Sequence, residues 1–175
     1  MKGNVIVIIL LLSGWALQAQ DIPGITGSKV LKEDAQAALD FHNKIRSDVG
    51  SPPLKWSTEL AAYAQRWADH LAVNCQMDHR PQSGPWAQKH GENIFLGGGF
   101  DFTALDASES WYSEIRDYTY RPLSGRHLNK TGHYTQMVWK STSHMGIGLA
   151  ICKKGAVLIV ANYSPPGNYI GEKPY

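Results

Sequence analysis

The run from Met145 to Asn162 constrains this chain most, because it encodes a strand with two unlike faces followed by a neighbour for it. Met145, Ile147, Leu149 and Ile151 alternate with Gly146, Gly148, Ala150 and Cys152, and a period of two puts the bulky set on one face of a sheet and the small set on the other. A face of glycine and alanine lets another layer approach closely. Lys153-Lys154-Gly155 makes a turn, and the nearly continuous apolar run Ala156 to Asn162 predicts a second strand, antiparallel to the first.

Helical periods surround this pair. With Asp34 as N-cap, Ala38, Phe41, His42 and Ile45 share one helical face, which Gly50 and Pro52-Pro53 bring to an end. Ser57 is the expected N-cap of a second helix, whose stripe of Leu60, Tyr63, Ala64, Trp67 and Leu71 reads as core. From Gln76 to Gly99 the prolines and three consecutive glycines predict irregular chain with only short regular pieces, and a long loop in a compact domain points to function. Helix resumes near Ala104, buries Ala107, Trp111, Ile115 and Tyr118, and stops by Pro122. After a polar loop, Ser124 to Lys130, Thr131 caps a short helix running to about Trp139. The fold class is α+β: helices flank a central, mainly antiparallel sheet in a three-layer α-β-α sandwich.

Lys2, the apolar run Val5 to Leu12 and the small residues Ala16 to Ala19 have the layout of a secretory signal peptide at 1–19, with cleavage near Ala19. The run is shorter than the roughly 20 residues of a membrane span, and no later segment qualifies. The mature chain is therefore expected to be secreted or periplasmic and not membrane-spanning, with residues 20–33 as a linker and 34–175 as one domain. With 17 Lys and Arg against 15 Asp and Glu, scattered along the chain, the basic footprint of a nucleic-acid binder is missing. Cys75 and Cys152 are the two cysteines; in an oxidising compartment they are either joined or two buried thiols.

Four motifs carry a resemblance. GHYTQMVWKSTSHMGIGLA (Gly132 to Ala150), VANYSPPGNYIGEKPY (Val160 to Tyr175), HGENIF (His90 to Phe95) and SWYSEIRDY (Ser110 to Tyr118) stand in the order and approximate spacing used by the CAP superfamily. That group comprises cysteine-rich secretory proteins, antigen 5 proteins and class-one pathogenesis-related proteins, and the chain most resembles the pathogenesis-related branch. The resemblance implies a CAP (SCP-like) α-β-α domain over 34–175 and a Cys75–Cys152 disulfide. It also places Ile147 with Ala161, and Thr131 in part, where two other bridges of the plant class would lie.

Glu114, three residues after Trp111 and four before Tyr118, lies beside an apolar helical face, and His133 shares a face with Met137. Glu92 follows Gly91 in the irregular segment that also holds His79. Spacing alone does not unite these four. The resemblance does, because they match its cavity tetrad of two histidines and two glutamates.

Such a set can bind zinc or another divalent cation through His79 and His133, with Glu92 and Glu114 orienting the rings; it can exchange protons with a ligand; or it can be a hydrogen-bonded polar cluster. The resemblance implies a non-enzymatic protein that binds a sterol or fatty acid, or an extracellular protein partner. One alternative is a metal- or serine-dependent hydrolase using the same four residues, although Ser83, Ser110, Ser124 and Ser141 stand in no GxSxG elbow. The other is a purely structural or adhesive domain. Asn93, Gln136, Asn162 and Asn168 read as satisfying buried backbone groups or turns, and His42, His70, His90, His127 and His144 as surface or internally satisfied histidines.

Overall fold

The computed structural model describes residues 21–175, so the leader expected at 1–19 lies outside the described residues, as does the side chain of His127. Strands Lys55–Trp56 (β1), Gly91–Gly97 (β2), His144–Ile151 (β3) and Val157–Ser164 (β4) form one sheet in the spatial order β1-β3-β4-β2. β4 pairs antiparallel with both β3 and β2, and the two-residue β1 pairs parallel with β3. The helices are Lys32–Asp48 (α1), Thr58–Ala72 (α2), Ala104–Tyr112 (α3), prolonged by a 3-10 turn over Ser113–Asp117, and Gly125–Met137 (α4).

The two faces of β3 sort the helices into layers. A Cβ at Gly146 would overlap the backbone at Leu60 and Ala61, and one at Gly148 the backbone at Ala64 and Gln65, so α2 rests directly on the glycine face. Ala64, Trp67, Ala68 and Leu71 complete that layer against Ala150, Leu158 and Val160. The opposite face presents Met145, Ile147, Ile159, Ala161 and Tyr163 to Leu39, Ile45, Trp111 and Tyr134 of the other helices. This is the three-layer sandwich that the alternation predicts.

Ser57 caps α2 as expected, accepting from the Leu60 N–H at 3.2 Å. Asp34 does not cap its own helix: α1 begins two residues earlier, with Leu31 at the N-cap and no side-chain cap. The Asp34 carboxylate instead accepts from the N–H groups of Ala104 (2.7 Å) and Leu105 (3.1 Å), while Thr103 and Asp106 form a capping box at the same end of α3. The expected polar loop Ser124 to Lys130 is also corrected, since α4 already starts at Gly125. Its first turns carry few apolar residues, so no hydrophobic period announces them. The third correction is β2, seven residues long inside the segment read as irregular; pairing with the apolar β4 overrides its weak local signal.

Two ties bind the layers. Buried Arg46 in α1 donates to the carbonyls of Pro52, Met137, Trp139 and Thr142 at 2.7–3.0 Å, closing the C-terminal end of α4. Burial lowers the guanidinium pKa to about 10. Cys75 and Cys152 are joined, with Cα atoms 5.5 Å apart and a sequence separation of 77, linking the chain after α2 to the end of β3. Ile147 and Ala161, where the resemblance places a second bridge, are buried cross-strand partners.

Candidate cleft for a metal and a ligand

β2 is a free edge of the sheet, and the cleft opens across it. Ile94 and Leu96 pack on the α2 side, and Glu92, two residues earlier, shares their face. Its carboxylate is fully buried, whereas the His79 side chain is 56% exposed. His79 Nδ1 lies 2.9 Å from Glu92 Oε1, which also accepts the Arg80 backbone N–H at 3.1 Å. Asn162, in register with Glu92, donates to Oε2 at 3.5 Å, and Arg80 Nε stands 3.6 Å from the same oxygen.

The second half comes from the other helical layer. Glu114, in the 3-10 turn after α3, accepts the backbone N–H groups of His133 (2.9 Å) and Tyr134 (3.1 Å) on Oε2, and meets His133 Nδ1 at 2.6 Å on Oε1. Asn93 on β2 donates to the His133 carbonyl at 3.1 Å, and Asn168 donates to the Gly132 carbonyl at 2.8 Å, so α4 is held over the strand edge. Trp111 stacks on the His133 ring, with centroids 6.3 Å apart.

His79, Glu92 and His133 line one cleft of about 370 Å³ with Asn93, Leu128 and Asn168. Glu114 lies outside its lining, behind His133, and borders an adjoining groove of about 340 Å³ with Met77, Ile94, Phe95, Leu96 and Trp111. His133 belongs to both spaces. The arrangement is two parallel carboxylate–imidazole pairs. Among the described residues no group of three or more His, Cys, Asp or Glu side chains is arranged to hold a metal ion.

Other residues singled out from sequence serve the scaffold. Gln136 accepts the Gly167 N–H at 3.0 Å, and Asn162 donates to the Gly91 carbonyl at 3.0 Å. His42, buried, has Nδ1 at 2.8 Å from the Ala38 carbonyl and Nε2 at 2.9 Å from the Tyr163 hydroxyl. Desolvation lowers its pKa from 6.5 to about 4, and burial raises that of Tyr163. Arg80 escaped sequence reasoning: an arginine in a loop carries no signal that it is 3% exposed and packed among aromatic rings.

The fold and this pair of carboxylate–histidine units define a CAP-type domain, and the chain belongs to that family: residues 39–163 match the family described as CAP, the cysteine-rich secretory protein family. It is 39% identical over 140 residues to pathogenesis-related protein 1A of Nicotiana tabacum, covering 80% of each chain. It is 41% identical over 142 residues to pathogenesis-related protein PRMS of Zea mays, covering 80% of this chain and 81% of that one. Among solved structures, that of NaASP2 with Zn2+ superposes with a TM-score of 0.70 at 27% identity, covering 82% of this chain and 85% of the other. No helix among the described residues is long and apolar enough to cross a membrane.

Proposed function

We propose that this protein is an exported binding protein whose cleft holds a divalent cation on His79 and His133. One observation carries the reading: both rings direct Nδ1 at a glutamate, which leaves both Nε2 atoms for a ligand. Carboxylate-anchored imidazoles are the usual partners of zinc, because the outer hydrogen bond fixes the ring and raises its basicity. Glu92 and Glu114 thus orient rather than ligate. Two protein ligands on an ion that prefers four leave positions for water or an incoming donor. When bound, the ion supplies a Lewis-acidic anchor for a polar head group. The solved relative NaASP2 is described with Zn2+, which supports the choice of metal.

The groove beside His133, walled by Met77, Ile94, Leu96 and Trp111, suits the hydrocarbon of a sterol or fatty acid. Capture, not turnover, is the role inferred. A serine hydrolase needs a hydroxyl hydrogen-bonded to its histidine, and among the described residues no serine makes such a bond to His79 or His133.

Elemental analysis and zinc titration of the mature protein at neutral pH test this directly. One equivalent of zinc is expected, lost in the His79→Ala/His133→Ala variant; wild-type protein that takes up no zinc sinks the metal reading.

A further inference from the structure

A larger cavity, of about 600 Å³, lies beside α2 and shares neither histidine of the first cleft. Arg66, Arg80 and Lys89 line it against the single carboxylate of Glu59, with Leu60, Pro85 and Trp86 as an apolar wall. Arg80 is what makes it unusual. Its guanidinium lies 3.8 Å from the Tyr63 ring centroid, 4.9 Å from that of Trp67 and 5.4 Å from that of Trp86, with the side chain only 3% exposed. Aromatic faces hold a cation in place but supply no counter-charge.

The two buried arginines among the described residues are provided for very differently. Arg46 places its N–H groups on four carbonyls. Among the described residues the Arg80 side chain makes a single hydrogen bond, from Nη2 to the Tyr63 carbonyl at 2.8 Å, and its buried Nε has no hydrogen-bond partner. Glu92 compensates it only in part, standing 3.6 Å from Nε and already accepting His79, the Arg80 backbone and Asn162. Glu92 answers Arg80 from the side of the first cleft and does not line this cavity, where three cations face the one carboxylate of Glu59; that excess of positive charge beside an apolar wall is provision for an anion. Arg66 adds a second guanidinium, 5.8 Å from the Tyr63 ring centroid.

We infer that this cavity is a second ligand site, taking a small organic acid whose carboxylate or sulfate sits among Arg66, Arg80 and Lys89 and whose ring or short chain lies on Leu60, Pro85 and Trp86. The inference stands apart from the metal cleft, so it is tested with chelator present. Isothermal titration of the mature protein with phenyl sulfate and phenylacetate should give one saturable site for at least one of them, and the tighter probe names the anion. Benzyl alcohol, which lacks the charge, and inorganic sulfate, which lacks the ring, should each bind at least about tenfold more weakly. Arg66→Gln/Lys89→Gln alters two exposed side chains and should weaken the aryl anion by at least about tenfold with thermal unfolding unchanged. Equal binding by the variant, inorganic sulfate as tight as phenyl sulfate, or no saturable binding of either aryl anion would each overturn the assignment.

Discussion

Glu92 is buried and collects donors from three residues, so its charge is spent on holding His79, the Arg80 backbone and Asn162. Glu92→Gln leaves the Arg80 guanidinium without its ion-pair partner and should cost about 3 kcal/mol in urea unfolding. The same change should weaken zinc about 10- to 100-fold, as loss of an orienting carboxylate does. His42 sets a pH limit. The unfolded chain takes up its proton near 6.5 and the folded chain only near 4, so stability is full above 6.5 and falls as the pH drops towards 4. The loss reaches about 3 kcal/mol, read as the difference in acid unfolding between the wild type and His42→Gln. Glu92, Glu114 and His133 were legible because three motifs carry them in order, and His79 only through the family resemblance; the pairing of the four was not legible. Glu92 and His79 are 13 residues apart and Glu114 and His133 are 19 apart, distances that no helical or strand period bridges. Arg80 left no trace, since burial of a loop residue is decided by rings brought from elsewhere.

At the scale of elements, the β3 alternation forecast both the sheet and the closeness of its covering helix. Gly148→Ala should therefore cost about 3 kcal/mol, because its new methyl meets α2 backbone, which cannot yield as a side chain can; chemical denaturation measures it. Asp34→Ala should cost about 1 kcal/mol by uncapping α3, with α1 keeping its start at Leu31. That assignment could not be read from the sequence. An acid at a helix start looks like a cap for the helix it begins, and its service to a helix 70 residues away appears only in three dimensions. The same limit hid β2, which takes its stability from pairing with β4 rather than from its own periodicity.

For the molecule as a whole, the disulfide closes a 77-residue loop that contains β2, α3, α4, β3 and all four residues of the tetrad. In the chain-entropy view its removal in Cys75→Ala/Cys152→Ala should lower stability by about 4 kcal/mol, an upper figure checked by denaturant titration with and without reductant. The strand order has a further consequence, for the timing of folding. β4 is the last strand in the chain, yet it lies between β3 and β2 and is hydrogen-bonded to both. A ribosome that has delivered everything up to β3 has made three strands of which β2 has no partner, and no helical layer has its full sheet to rest upon. β2 and the cleft along it therefore wait for residues 157–164, the strand that bonds to both of its neighbours.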